Sequence, residues 1–347
     1  INGAKIDRNL FASNIEDIIT NQNKARIINV ASQKGSSMKK IQRVAVLGAG
    51  ALGSFFVSRF FDAPEASTVL VAKASRLERL QKNGLVINGK QYHIPVLDPE
   101  LAHEPMDLII IALKQYHLEE ALQDLDKLVG DHTIFLSFMN GLESEECIGS
   151  IYGMDKVLYG VSVGIDALRQ GNQMTYTNPV KHYFGELNNA QLSQRVIQVQ
   201  KVFENAKIMF ETPEDMLRIM WWKFMINVGM NQSSAVMRAP YGVFHNDTNA
   251  QKLMESLMRE VIALAAVQGI NLTERDIAEW YPFLHGLSPQ GKTSMLQDIE
   301  SSRKTEVDIF GGKVVALGKT HNIPTPVNET FVRIIHVLEQ NPGSIPL

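Results

Sequence analysis

Cysteine is nearly absent from this 347-residue chain, because Cys147 is the only one. A single cysteine forms no intramolecular disulfide, which excludes a disulfide-held fold and suits a reducing compartment, so we expect a cytoplasmic protein. The nine histidines show no HExxH pattern and no close cluster, so we predict no metal site. We expect His117, His182 and His245 to be ordinary polar residues.

Blocks of like charge and long apolar runs are missing as well. The 34 basic and 37 acidic residues leave a net charge of −3, which argues against nucleic acid or an anionic membrane as a partner. No apolar run approaches the ~20 residues that cross a bilayer. We therefore expect a small-molecule partner, and the apolar, methionine-rich C-terminal half allows a homodimer interface.

The first 37 residues differ from the rest of the chain, because they are rich in Asn and Gln and end just before Met38. Two interpretations fit this segment. One is a leader upstream of a natural start at Met38, and the other is an extra amphipathic helix built on Ile15, Ile18 and Ile19. The segment carries no secretory pattern.

A glycine motif follows Met38. The apolar run Arg43–Leu47 leads into Gly48, Gly50 and Gly53, and a helix-compatible stretch begins at Ser54. In a strand, turn and helix of this kind, the first glycine permits the tight turn, the second admits a pyrophosphate and the third lets the helix pack on the sheet. The motif predicts a dinucleotide site at the helix N-terminus.

Strand and helix signals alternate from this motif to Glu211. The apolar run Asp107–Leu113 is typical of a parallel-sheet strand, and Thr133–Phe138 is predicted as another strand. The turn signal at Asn88–Gly89 predicts a hairpin between Leu85–Ile87 and Tyr92–Val96.

Helical periodicity replaces these signals from Pro213 onward. This order predicts an α/β, Rossmann-like doubly wound domain at residues 38–211 and an all-helical substrate and catalytic domain at 212–347, with the active site in the cleft between them. The predicted C-terminal helices are Asp215–Met237, Asn249–Gln268, Glu274–Leu284, Asp298–His321 and Asn328–Gln340.

The end of the second predicted strand bears on the choice of cofactor. An NAD site usually places an acid about 20 residues beyond the last glycine, to bind the ribose hydroxyls. Lys73 stands there, with Arg76 nearby, and the next acid along the chain is Glu78. The pattern favours NADPH, because a cation attracts a 2′-phosphate that an acid repels. The competing interpretation makes Lys73 an ordinary surface lysine.

Three polar residues recur every four positions in an otherwise apolar helix: Lys223, Asn227 and Asn231. They project from one helix face, and polar groups on a buried helix need partners, so the stripe predicts a cavity for a polar ligand. A desolvated lysine there suits a general acid. Farther on, Ser294 is a candidate helix N-cap with Gln297, and Glu306 is either a site residue or solvated.

Taken together, these residues resemble the ketopantoate reductases, also called 2-dehydropantoate 2-reductases, from Met38 onward. The resemblance rests on segments that follow the family's order: Gly48–Gly53, Leu113–Lys114, Asn140–Gly141, Trp222–Lys223, Asn227, Asn231, Ser294–Asp298, Thr305–Asp308, Gly311 and Thr325–Asn328. It implies a helical domain of the 6-phosphogluconate-dehydrogenase-like type. It also implies NADPH-dependent reduction of 2-dehydropantoate to (R)-pantoate, a step toward pantothenate and coenzyme A.

The same resemblance implies residue roles. Lys223 would give the proton, and Glu306 would orient the substrate and keep Lys223 protonated through its charge. Substrate would be bound by Asn140, Asn227, Asn231 and Ser294. The cofactor would be held by Gly48, Gly50, Ala51, Leu52, Gly53, Lys73, Lys114, Asn140 and Glu306.

The chain departs from the family pattern at Met139 and Glu143, and three functions stay open. The first is ketopantoate reduction, and the second is reduction of another small 2-keto acid within the superfamily. The third is an NADP-binding sensor that has lost catalysis, because a fold does not guarantee its chemistry.

Overall fold

A computed structural model describes residues 40–164, 167–176 and 180–341 of the chain. The segment before Met38 lies outside the described residues, and so does the choice between its two interpretations. Within the described part, none of the helices combines the length and apolar character that a membrane crossing requires.

Strands occupy the first part of the described chain. They are β1 Arg43–Leu47, β2 Ser67–Val71, β3 Leu85–Ile87, β4 Lys90–Tyr92, β5 Val96–Leu97, β6 Leu108–Ile111, β7 Ile134–Ser137, β8 Val157–Val163, β9 Ala167–Gln170, β10 Gln173–Tyr176, β11 Lys181–Gly185 and β12 Phe210–Glu211. The apolar, β-branched runs predicted as buried strands are confirmed in β1, β6 and β7, where almost every residue is buried.

The main sheet has the strand order β12-β11-β8-β7-β6-β1-β2-β5. β1 pairs in parallel with β2 on one side and with β6 on the other, so the chain turns back across β1. A ligand crevice forms outside the carboxyl ends of strands at such a point. The segments that follow β1, β6 and β7 therefore meet at one edge of the sheet.

A second, smaller sheet has the order β4-β3-β10-β9. Its β3–β4 hairpin turns at Asn88 and Gly89, whose φ angles of 48° and 78° lie in the left-handed region that this turn requires. The predicted hairpin is confirmed. Its second arm is shorter than predicted, because β4 ends at Tyr92 and Val96 instead pairs with β2.

Helices cover the sheet and form the C-terminal part. They are α1 Ala51–Asp62, α2 Ala74–Asn83, α3 Leu118–Gln123, α4 Ser144–Tyr152, α5 Gln194–Asn205, α6 Met216–Ile226, α7 Gln232–Met237, α8 Tyr241–Asn246, α9 Thr248–Val267, α10 Glu274–Gly286, α11 Ser294–Glu300, α12 Gly311–His321 and α13 Pro326–Gln340. The predicted Rossmann-like sheet followed by helices is confirmed. The domain boundary at 211/212 stays a prediction.

Three apolar clusters hold these elements together. One face of the sheet buries Val46 against Phe56 of α1, and the other buries Leu47 against Leu118 of α3. The third cluster fills the helical part and includes Val161 of β8. The helical part and the sheet therefore share apolar packing at β8, which positions the helices over one end of the sheet.

The predicted helix Asp215–Met237 is present, but a π turn at Asn227–Asn231 separates α6 from α7. A Cβ on Gly229 would lie 2.5 Å from Cγ of Met258 in α9, so the turn packs closely on that helix. An α-helix has 3.6 residues per turn, so side chains spaced four apart drift around the helix by about 0.4 residue at each step. A π turn has more residues per turn, which reverses this drift. Asn231 therefore stays on the same helix face as Lys223.

The predicted single helix Asp298–His321 is wrong. α11 ends at Glu300, and Ser302 has a left-handed φ of 51°. The amide of Arg303 then returns to the carbonyl of Asp298 at 2.8 Å, closing the helix end. After a short 3₁₀ turn the chain re-enters a helix at Gly311. Glu306 thus lies in the connection between two helices, not on a helix face.

The predicted N-cap at Ser294 is also wrong by one residue. Thr293 caps α11, because its hydroxyl accepts a hydrogen bond from the amide of Leu296 at 3.1 Å. Ser294 is the first helical residue, and its side chain is exposed. Its hydroxyl is consequently free of a capping role.

Candidate active site

The glycine loop after β1 has the shape that its sequence predicts. Gly48 has φ +113°, and a Cβ there would lie 2.3 Å from the carbonyl oxygen of Ala112 after β6. A Cβ on Gly53 would lie 1.9 Å from the carbonyl oxygen of Gly48, so both positions exclude larger residues. Beside Gly50, by contrast, no heavy atom lies within 4 Å of the Cβ position.

This open side faces the first turn of α1, which begins at Ala51 and continues through Leu52. Gly50 is the N-cap and has no side chain to satisfy the first amide groups of the helix. Unsatisfied amides and the helix dipole favour an anion here, and the missing Cβ leaves room for one. The loop therefore fits the diphosphate of a dinucleotide.

Lys73 lies two residues beyond β2, next to this loop. Its ammonium contacts two carboxylates from distant parts of the chain, Asp124 Oδ1 at 2.8 Å and Glu100 Oε1 at 2.7 Å. The hydrogen bonds that its ammonium donates, first to Asp124 and then to Glu100, raise the pKa of Lys73. The lysine is predicted from the sequence, but its two acidic neighbours are not.

Lys114 follows β6 and reaches into the helical part. Its ammonium lies 2.9 Å from Oε2 of Glu306 and 3.2 Å from Oδ2 of Asp298, both nearly buried carboxylates. Burial acts to lower the pKa of Lys114, but the charges of Glu306 and Asp298 outweigh it, so the pKa is raised. This lysine thus ties the edge of the sheet to the helical part by charge.

A chain of side-chain hydrogen bonds leads from Glu306 to the polar helix. Asn140, which follows β7, donates from Nδ2 to Oε2 of Glu306 at 3.1 Å. Its Oδ1 accepts from Nδ2 of Asn227 at 3.3 Å. Predicted site residues from three segments far apart in sequence are thereby brought together.

Lys223 lies one turn before Asn227 in α6. Among the described residues, no hydrogen-bonding or ion-pairing partner of its ammonium is found. Burial lowers the pKa of Lys223 to about 8. The expectation that Glu306 holds Lys223 charged is not met here, because the ion-pair partner of Glu306 is Lys114.

Asn231 and Ser294 are not joined to this chain of hydrogen bonds. Asn231 is 8% exposed in the π turn, and Ser294 is exposed at the start of α11. Neither side chain has a side-chain hydrogen bond within the described ranges. Their polar groups are therefore available to a ligand, and their predicted roles stay predictions.

Two supporting groups near the site do not stand out in the sequence as functional. Asp298 appears there only as part of a short motif, yet it pairs with Lys114 and also accepts from Nε of Arg303 at 2.9 Å. Its burial at 5% exposure explains why it needs both cations. The sequence gives no local signal for the pair with Lys114, because that lysine lies 184 positions away along the chain.

The second supporting group lies behind Asn140. Glu145 is 2% exposed and accepts from the hydroxyl of Ser144 at 2.8 Å, and Ser144 also bonds the hydroxyl of Ser137 at 2.7 Å. Burial raises the pKa of Glu145 to about 7, against the opposing effect of the Ser144 hydrogen bond. These groups fasten α4 to the end of β7 and hold the loop that carries Asn140.

The site combines an anion-binding loop at the edge of the sheet with a cluster of amides that ends one helical turn from a desolvated lysine. Across the described residues, no group of three or more His, Cys, Asp or Glu side chains is placed to hold a metal ion. An unpaired lysine with a pKa of about 8 exchanges protons near neutral pH. Chemically, the site suits proton transfer to a polar ligand next to a bound dinucleotide.

Comparison with known proteins points to one family. The family model described as Ketopantoate reductase PanE/ApbA matches residues 44–189, and the model described as Ketopantoate reductase PanE/ApbA C terminal matches residues 215–339. A curated 2-dehydropantoate 2-reductase from Archaeoglobus fulgidus is 27% identical over 301 residues, covering 86% of this chain and 99% of the relative. One from Streptococcus pyogenes is 25% identical over 304 residues, covering 85% and 97%.

A solved structure of D-mandelate dehydrogenase with NADH and anilino(oxo)acetate superposes with a TM-score of 0.79. It is 22% identical, and the match covers 86% of this chain and 98% of that one, so it supports the fold. The two family models follow each other in the expected order and together span most of the chain. On this basis the protein belongs to the ketopantoate reductase family.

Proposed function

We propose that the protein reduces 2-dehydropantoate to (R)-pantoate with NADPH and so serves pantothenate and coenzyme A synthesis. The observation that carries the proposal is the isolated ammonium of Lys223. It has a pKa lowered to about 8 and lies one turn from Asn227, which is linked through Asn140 to Glu306. Family membership supplies the reaction class, and these contacts supply a site suited to it.

A nicotinamide dinucleotide fits the residues at the sheet edge. Gly48, Gly50 and Gly53 would let its diphosphate meet the first turn of α1, with Ala51 and Leu52 supplying amides of that turn. When bound, the reduced nicotinamide supplies the hydride that the substrate carbonyl accepts. Lys73 and Lys114 would face the cofactor from the ends of β2 and β6.

Lys223 would act as the general acid. Reduction places negative charge on the carbonyl oxygen of a 2-keto acid, and a proton delivered there completes the alcohol. With a pKa of about 8, most of the lysine is protonated at pH 7 and gives up its proton more readily than an exposed lysine does. The low polarity around it strengthens the interaction with the developing charge.

The amides would orient the substrate. Asn227 lies one helical turn from Lys223, and Asn227 and Asn231 would both bind the hydroxyl end of the substrate. Ser294 would meet the carboxylate, and Glu306 would orient the substrate from the side of Asn140. Holding the carbonyl in one position relative to Lys223 lowers the entropic part of the barrier.

The test is initial-rate oxidation of NADPH with 2-dehydropantoate, compared with NADH and with a panel of other 2-keto acids. We expect the highest kcat/KM with NADPH and 2-dehydropantoate. Tight cofactor binding without turnover of any 2-keto acid would contradict the proposal and favour a binding role. The Lys252→Ala variant, which changes an exposed lysine of α9, should keep the wild-type kcat/KM.

A second candidate is reduction of a different small 2-keto acid. The solved structure of D-mandelate dehydrogenase, which contains NADH and anilino(oxo)acetate, has a similar fold but a different ligand from 2-dehydropantoate. An apolar pocket separates substrates that differ by one methylene by only about 1–3 kcal/mol. A kcat/KM for another 2-keto acid above that for 2-dehydropantoate would favour this candidate.

A further inference from the structure

The side chains that form ion pairs with Lys73 are two acids from distant parts of the chain. Lys73 contacts Glu100 and Asp124 at 2.7 and 2.8 Å, and these three residues together carry a net charge of −1. Glu100 lies in a short 3₁₀ turn after β5, and Asp124 follows α3, so neither is near Lys73 in sequence. The fold alone creates this cluster.

The cluster lies where a dinucleotide site distinguishes its cofactors. β1 and β2 are in register, with Leu47 opposite Val71, so the backbone of Lys73 runs next to the glycine loop. Adjacent strands lie about 5 Å apart, and the residue at the end of the second strand meets the adenosine ribose in such folds. A group at this position contacts either ribose hydroxyls or a 2′-phosphate.

From this geometry we infer that Glu100 and Asp124 are specificity-determining residues that restrain the preference for NADPH. They hold the ammonium of Lys73 and offset its charge, and both carboxylates repel a 2′-phosphate. Ribose hydroxyls carry no charge and can donate to a carboxylate, so the same cluster tolerates NADH. The inference rests on the proposed dinucleotide site and deepens it.

Exposure fits such a role. The side chain of Glu100 is 68% exposed and that of Asp124 is 32% exposed, and Lys73 is 35% exposed. A bound cofactor can reach all three without unfolding the surrounding structure. Surface ion pairs stabilise a fold little, so removal of either acid affects ligand preference more than stability.

The test measures binding, not turnover. Dissociation constants of NADPH and NADH are determined at fixed, low ionic strength for the wild type, Glu100→Gln, Asp124→Asn and the double variant. Adenosine 2′,5′-bisphosphate and AMP, which differ only in the 2′-phosphate, serve as a second pair of ligands. Glu65→Gln is the matched control, because it removes an exposed, ion-paired acid at the opposite edge of the sheet.

We expect each single variant to raise the ratio Kd(NADH)/Kd(NADPH) about threefold and the double variant about tenfold, chiefly through tighter NADPH binding. Binding of adenosine 2′,5′-bisphosphate should tighten in parallel with that of NADPH, while the Kd of AMP should change little. Glu65→Gln should keep the wild-type ratio. Thermal unfolding of each variant checks that the fold is intact, and either single variant carries the same prediction if the double variant fails to fold.

An unchanged ratio in the folded double variant would overturn the inference, as would equal changes for both cofactors. Failure of the proposed function has a different signature. In that case the wild type binds the cofactors but reduces no 2-keto acid, and the ratio test still decides the role of Glu100 and Asp124. Absence of binding by both cofactors would contradict both.

Discussion

Two lysines at opposite sides of the candidate site show how surroundings change one side chain. Lys73 is partly exposed between Asp124 and Glu100, and their hydrogen bonds raise its pKa. Lys223 is largely buried, has no ionic partner within the described part of the chain, and has a pKa lowered to about 8. The first holds its proton firmly, and the second can release it near neutral pH.

A third lysine separates the effect of burial on a lysine pKa from the effect of nearby carboxylates. Lys114 is desolvated like Lys223, yet its pKa is raised like that of Lys73, because Glu306 and Asp298 lie beside it. Burial alone therefore does not make a lysine acidic. No carboxylate in the described ranges pairs with Lys223, which distinguishes it from the other two lysines and suits it to proton transfer.

The largest expected effect comes from removing Lys223. Lys223→Ala should lower kcat about 10²–10⁴-fold, because a general acid contributes that much, while the Kd of NADPH stays near the wild-type value. The measurement is steady-state turnover together with direct cofactor titration. A wild-type kcat in this variant would contradict the proposal that Lys223, unlike Lys73, transfers a proton to the substrate.

The pH dependence sharpens the same contrast. A general acid must be protonated, so kcat should fall as pH rises through about 8, approaching a tenfold loss per pH unit above it. Rates measured from pH 6 to 10 with saturating substrate test this. A profile that stays flat to pH 10 would indicate that another group supplies the proton.

Glu145 extends the comparison to a buried acid. Its pKa is raised to about 7 in the folded protein, so the carboxyl costs no stability below its ordinary pKa of 4.5. The cost grows as pH rises from 4.5 to about 7 and is constant above that. Glu145→Gln should therefore gain up to about 3 kcal/mol in unfolding free energy over the wild type between pH 4.5 and pH 8.

Urea unfolding at several pH values measures this difference. Glu120→Gln, an exposed change in α3, is the control and should leave the pH dependence as in the wild type. A pH-independent difference between Glu145→Gln and the wild type would contradict the proposed titration of Glu145.

Asp298→Asn tests the intermediate case of Lys114. Removing one of two buried carboxylates beside this lysine should destabilise the fold by about 1–3 kcal/mol at pH 7 and lower the pKa of Lys114 toward the behaviour of Lys223. Urea unfolding gives the first quantity and NMR titration of the lysine ammonium gives the second. Asp308→Asn, at a 57% exposed side chain, should change stability by less than about 0.5 kcal/mol.

The smallest effect is expected from removing Lys73, the more exposed of the two lysines compared above. Lys73→Met should weaken NADPH binding about two- to fivefold and leave NADH binding nearly unchanged, because solvent screens the charge and two acids already offset it. Fluorescence titration measures both constants, with Lys201→Met as the control for loss of an exposed lysine. A loss above a hundredfold would mean that the acids do not restrain Lys73.

Sequence patterns predicted the elements that carry strong local signals. The glycine loop, the parallel strands β1, β6 and β7, the hairpin at Asn88–Gly89 and the long polar-striped helix are confirmed. In each case the signal comes from neighbours along the chain. The break after Glu300 was missed, since it depends on bonds from Arg303 to Asp298 and from Thr305 to the distant Glu339.

The sequence by itself determined where the glycine loop lies and which residue types the site offers, since glycine conformation and helical spacing are local properties. Only the tertiary structure decided which charged groups lie beside each site residue. Counting along the chain from Lys73 reaches no acid before Glu78, yet the fold brings Asp124 and Glu100 to it. Charge acts through space, so a lysine's pKa depends on which distant segments fold against it.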